Sequence, residues 1–175
     1  NGDSQGWVMN VDENGYPRWE KTYGDNGEDG FNMITRSKDN NFIAVGYSGS
    51  FFSKGMKDVL MVKIDPLGNK MWMNLHGGKS DDIANSVFEC KDSGFAIAGE
   101  TTSFGSGKND ILILKTNSNG VQKWKSTIGG KGVDIGRSIE ELPKGGFIVS
   151  GTSTISNLSF DSILIKTDKK GKTSN

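Results

Sequence analysis

Apolar positions in this chain fall in short runs, each closed off by residues that favour turns. In the middle of the sequence four such runs follow one another: Asn85 to Glu89, Gly94 to Gly99, Asp110 to Thr116 and Gln122 to Ile128. Runs this short, bounded by Gly, Asn, Asp and Ser, predict β-strands. They are designated here A, B, C and D. The A–B turns read KDNN, KDSG and PKGG, and the C–D turns read DENG, DPLG, NSNG and DKKG. Asp or Asn with Gly supplies the positive-φ positions that tight hairpins require. The C run, typified by Ile111, Leu112, Ile113 and Leu114, is apolar on both faces, which predicts a strand covered on both sides.

The same order of runs recurs. Trp19, Trp72 and Trp124 are 53 and 52 residues apart, as are Gly46, Gly99 and Gly151. Asp58, Asp110 and Asp161 are 52 and 51 apart, and Lys63, Lys115 and Lys166 keep the same spacing. Self-similarity at a fixed period marks a repeat architecture. A unit of about 52 residues with four antiparallel strands predicts an all-β chain of four-stranded β-propeller blades. The predicted division is 1–24 as a half blade (strands C and D), 25–77 and 78–129 as whole blades, and 130–175 as a blade lacking strand D. That makes thirteen strands, or about three and a quarter blades. Closed propellers usually have at least four, so the expectation is a partial ring, completed by additional repeats or by another chain. An open array would otherwise expose apolar faces and a strand edge.

Composition narrows the partners. Lys plus Arg and Asp plus Glu number 21 each, a balance that argues against nucleic acid and against an anionic membrane surface. No apolar run approaches the ~18 residues of a membrane span. Glycine is abundant at 25 residues beside only 3 prolines, which suits many tight turns and not a collagen-like or disordered chain. The single cysteine, Cys90, rules out an intrachain disulfide. The chain opens on Asn1 without a signal peptide, and is expected to be a mature or excised segment of a longer protein.

The stretches GGKGVDIGRSIEELPKGGFIVSGTS and DILILKTNSNGVQKWKSTIGG resemble repeats of bacterial and archaeal cell-surface β-propeller proteins and lipoproteins, mostly of unknown function. The resemblance covers essentially the whole chain. It implies secretion, an extracellular or cell-surface location, and a binding or scaffolding role.

Candidate chemistry is sparse. Asp29, Asp82 and Asp134 precede strand A, and Asp58, Asp110 and Asp161 open strand C. Calcium is the one ion such a set suggests. It wants six to eight oxygens from a compact loop, and these acids are dispersed. Because they recur in every unit, they are expected to accept backbone N–H bonds in turns, and no cofactor is expected. Lys63, Lys115 and Lys166 are expected to pair with acids or to leave their ammonium groups in water. Trp19, Trp72 and Trp124 suit packing between blades better than sugar stacking. Trp7 lies outside their register. His76 has no Ser, Asp or metal-ligand companion at a recognisable spacing, and Cys90 has no base beside it. Gly77-Gly78 and Gly129-Gly130 precede no helix, so they form no phosphate-cradling loop.

The loops between strands B and C vary most, and their apolar residues Phe51, Phe52, Phe104, Ile155, Leu158 and Phe160 are the candidates for a partner-binding rim. The function expected from these observations is a non-enzymatic extracellular binding or scaffolding module. A protein partner or self-association fits best, and a glycan is a further class of ligand. The alternatives are a structural subunit completed by strand exchange between chains, and a carbohydrate-binding or carbohydrate-active propeller.

Overall fold

The computed structural model describes residues 4–49, 56–156 and 159–173, with residues 155–156 described in backbone only. Of the predicted rim, Phe51, Phe52 and Leu158 lie outside the described residues, as does the side chain of Ile155. The fold is all-β: thirteen strands form antiparallel sheets, and no helix occurs among the described residues. Sheet I holds β1 (Gly6–Val11) and β2 (Pro17–Tyr23). Sheet II is a meander of β3 (Asp29–Arg36), β4 (Phe42–Ser48), β5 (Asp58–Ile64) and β6 (Lys70–His76). Sheet III repeats that order with β7 (Asp82–Glu89), β8 (Phe95–Thr101), β9 (Asp110–Thr116) and β10 (Gln122–Ile128). Sheet IV has β11 (Asp134–Glu141), β12 (Phe147–Ser156) and β13 (Ser159–Lys166).

Side chains alternate between two faces along a strand, and here both faces of the middle strands are apolar. Val59 and Met61 of β5 point to the core shared by sheets II and III, whereas Leu60, Val62 and Ile64 point back to the core shared with sheet I. In sheet III, Leu112 and Leu114 join the first of these cores, and Ile111 and Ile113 join the core shared with sheet IV. Every residue of β5 and β9 is buried in consequence. The matching strand of sheet IV, β13, has a covered face of Ile163 and Ile165, with Phe160 and Leu164 64% and 71% exposed.

The first strand of each four-stranded sheet starts earlier than the apolar pattern indicates. β7 begins at Asp82, three positions before Asn85, because its register shifts between Ala84 and Ser86. The same bulge falls between Phe31 and Met33 in β3 and between Gly136 and Ser138 in β11. A bulge adds one unpaired residue and breaks the two-residue alternation, so the upstream half of the strand is out of phase with the downstream half.

The bulge explains the repeating glycines. Opposite it, on the adjacent strand, stand Gly46, Gly99 and Gly151, paired with Phe31, Ala84 and Gly136. A methyl group on any of them would overlap the carbonyl oxygen of Gly30, Ile83 or Ile135 respectively. Backbone cannot retreat as a flexible side chain can, and overpacking of this kind costs about 1–3 kcal/mol. Gly99→Ala is therefore expected to lower unfolding stability by about 1–3 kcal/mol in urea denaturation. Gly130→Ala is the control: no atom lies within 4 Å of an added Cβ there, and its midpoint should scarcely move.

Candidate functional site

The repeated tryptophans hold one sheet against the next. The indole of Trp19, on β2, lies over Gly68 in the turn between β5 and β6, and its Nε1–H donates to the Pro66 carbonyl at 3.1 Å. Trp72 lies over Gly120 and Trp124 over Gly171 in the equivalent turns one sheet further on. Those three glycines have φ of 75°, 74° and 73°, and a Cβ would strike the ring. Trp72 and Trp124 also meet Phe95 and Phe147, with ring centroids 6.2 and 5.7 Å apart. Trp7, by contrast, is 55% exposed on β1.

The aspartates sit at the crossings between sheets. Asp82 Oδ2 accepts the Gly78 N–H at 2.7 Å and the Ser103 hydroxyl at 2.7 Å. Asp134 accepts the Gly130 N–H at 2.8 Å and the Ser153 hydroxyl, and Asp29 accepts the Asp25 N–H at 2.9 Å. Asp110 accepts from Ser106 and Gly107 at 3.0 and 2.9 Å. Gly77 passes so close to Asp58 and Asp82 that a side chain would overlap their carboxylates, and Gly129 stands likewise between Asp110 and Asp134. Asp161 is exposed at the start of β13. Among the described residues no group of three or more His, Cys, Asp or Glu side chains has an arrangement able to hold a metal ion.

The lysines that end the middle strands divide. Lys63 pairs with Asp39 at 2.6 Å, and Lys115 with Asp92 at 2.8 Å, whereas Lys166 is exposed. Lys123 joins Asp92 at 2.8 Å. The Lys63 bond, helped by Ser37, holds the Asp39 carboxyl well below the usual carboxylate range. Burial pushes Asp92 up, and the bonds from Lys115 and Lys123 more than reverse it, so it too lies well below that range.

Asn32 and Asn85 carry a role that the apolar pattern gives no hint of. Each is the unpaired residue of a bulge, and each reaches to the next bulge along. Asn32 Nδ2 donates to the Ala84 carbonyl at 2.9 Å, and Asn85 Nδ2 to the Gly136 carbonyl at 3.0 Å. The turns add a second stitch. The Lys38 N–H donates to Glu89 at 2.6 Å and its Nζ to the Cys90 carbonyl at 2.7 Å. Lys91 does the same to Glu141 and to the Pro143 carbonyl, each at 2.7 Å. The recurrence of Asn at 32 and 85, at the repeat spacing, was the available signal.

Of the described rim residues, Phe104 is half-buried. It folds back over Gly78, and the Lys125 ammonium lies 3.0 Å from its ring centroid. Phe160 projects into solvent. His76 is half-buried at the end of β6, near Phe104. Cys90 is fully buried, and burial pushes its thiol up to about 11, so it stays protonated and unreactive at neutral pH.

Between sheets III and IV lies an open cavity of about 520 Å³, walled by Trp124 and Phe147 and ringed by lysines. There Lys123, Lys144 and Lys169, which depart from the repeat, stand beside the Trp124 indole.

A stack of antiparallel sheets with these crossings defines the chain as an all-β protein. A protein of unknown function from Bacteroides caccae, known from its crystal structure, shares the fold at 13% sequence identity with a TM-score of 0.58. The similarity covers 100% of this chain and 55% of that one, so this chain spans little more than half the neighbour's length. No family model matches the sequence, and no curated protein matches it.

The depressed carboxylates fix the sign of the acid response. A group whose folded pKa lies below its unfolded value stabilises the fold above the unfolded value, and loses that contribution as pH falls through the folded one. Urea midpoints are expected to fall as pH is lowered from about 5 to about 2. Both carboxylates are about half exposed, so solvent screening keeps the effect small. In the pair of substitutions Asp39→Asn and Asp92→Asn, the slope over that range should flatten.

Proposed function

We propose that this chain is a run of β-propeller blades, comprising a half blade, two whole blades and a blade lacking its last strand. It serves as a non-enzymatic binding module of an extracellular or cell-surface protein. The observation that carries this reading is the division of labour among the polar residues. Those that recur at the repeat spacing are spent on the framework: Asp82, Asp134, Asn32 and Asn85 tie sheet to sheet or hold the crossing between sheets, and Lys63 and Lys115 tie the middle strand to a turn of its own sheet. The chemically distinctive surface is left to residues that break the repeat. In repeat proteins such departures map to binding faces. The resemblance of the repeats to cell-surface propeller proteins supports the location.

The rim supplies the test. Phe160 is 64% exposed, so Phe160→Ser should leave the melting temperature unchanged within a degree or two. It should weaken retention of a ligand identified by a glycan array run beside a pull-down from cell-surface extract. Undiminished retention by the variant would remove the rim from the binding surface.

A second reading has its own observation. β13 is an edge strand whose outer face shows Leu164 at 71% exposure. Such an edge accepts a strand from another chain by β-augmentation. Sedimentation would show concentration-dependent association that Leu164→Lys suppresses. A monomer at all concentrations would eliminate self-assembly.

A further inference from the structure

The turn between the first two strands of a sheet reads Lys-Asp in sheets II and III, at Lys38-Asp39 and Lys91-Asp92, but Pro143-Lys144 in sheet IV. In the first two, the aspartate receives the lysine that ends the middle strand. In the third, a cation stands where the acid should be. Two further positions change with it. Lys123 replaces the Met71 of the preceding unit, and Lys169 replaces Ser118.

All three substitutions face one cavity. Its wall holds Lys91, Lys115, Lys123, Lys144 and Lys169 against only two carboxylates, Asp92 and Glu141. The corresponding positions between sheets II and III carry Lys38, Lys63 and Lys91 against Asp39, Glu89 and Asp92, an even balance. One backbone framework thus produces a neutral junction and, one repeat later, a junction with an excess of positive charge.

The cations are not equally available. Lys115 and Lys123 bind Asp92, and Lys91 is held by the Pro143 carbonyl. Lys144 and Lys169 have no ion-pair partner among the described residues, and the Lys169 stem lies across Gly145. Two uncommitted ammonium groups therefore stand over a cavity of about 520 Å³, within the range of small-molecule sites. The half-buried Trp124 indole beneath them gives apolar surface, backed by the buried Phe147 ring. An inorganic anion needs only the ammonium groups, whereas a sugar ring that carries an anion uses both the charge and the aromatic wall.

We propose that the cavity between sheets III and IV, ringed by Lys123, Lys144 and Lys169 and walled by Trp124, binds a saccharide bearing a carboxylate or sulfate group. The proposal rests on the binding-module reading and names a ligand class for it, at a site separate from the rim.

The test is isothermal titration of the whole chain with trigalacturonate and with a chondroitin sulfate tetrasaccharide, against maltotriose and sodium sulfate. Either acidic saccharide should bind at least ten-fold more tightly than maltotriose, and tightening at low salt should follow from the charge. The variant Lys123→Met, Lys144→Asp, Lys169→Ser restores the residues of the preceding unit. It should lose at least ten-fold in affinity for the acidic saccharide while melting as the wild type does. Should the triple variant misfold, Lys144→Asp alone, on an exposed turn, carries the comparison. Affinity for maltotriose equal to that for the acidic saccharides would overturn the charge assignment and leave the binding module intact. Equal affinity for free sulfate would overturn the saccharide assignment. Binding that survives the substitutions would place the site elsewhere, and no binding in any arm would end the proposal while the rim test still decides the broader reading.

Discussion

A strand that is apolar on both faces must be covered twice, and in this chain only another sheet can do it. β5 and β9 are buried at every position, including the acid that opens each and the lysine near its end. Burial of two faces commits each four-stranded sheet to a neighbour on either side. Full burial of one Val, Leu or Ile side chain contributes about 1.5–3 kcal/mol, so a middle strand owes its stability almost evenly to two separate cores. The remaining features adjust the spacing and orientation of these contacts. The bulge brings the first strand's carbonyl against glycine, the asparagine ties bulge to bulge, and the indole closes the outer side over a turn.

Polar groups in such a stack cannot be buried for nothing. Asp82 and Asp134 are almost fully inaccessible, yet each receives a backbone N–H and a hydroxyl at the crossing into its sheet. Unpaired, a buried polar group costs about 1–3 kcal/mol. Asp82 and Asp134 thus meet backbone and hydroxyl donors at the crossings. Lys63 and Lys115 follow the same logic: their stems are buried and their ammonium groups emerge beside Asp39 and Asp92.

Much of this was legible because the signal is periodic. Turn residues and apolar runs place β9 and β10 at their observed limits, and the count of two, four, four and three strands follows from where those runs fall. What was illegible has a physical cause in each case. The bulges at Asn32, Asn85 and Arg137 shift the phase of the alternation, so the first strands look shorter than they are. The asparagine bonds and the lysine-rich cavity join residues from different sheets, and strand patterning is blind to distance across a junction. Even so, the cavity left a trace in the turns. Lys144 occupies the position of Asp39 and Asp92, and a departure from a period is as informative as the period.

The tryptophan contact has a consequence for how such a chain can change length. Each of the three indoles in register is carried by one sheet and received by a turn 47 to 49 residues further on, as Trp19 and Gly68 show. The donor and the receiver therefore belong to different copies of the unit. A gene that loses or gains exactly one period, wherever the break begins, still presents every indole with a turn glycine at the correct distance. The separation of ring and glycine shortens from 49 to 48 to 47 along the chain, with the variable B–C loop between them, so the junction between neighbours, more than the exact length of the unit, is what a change in copy number has to keep intact.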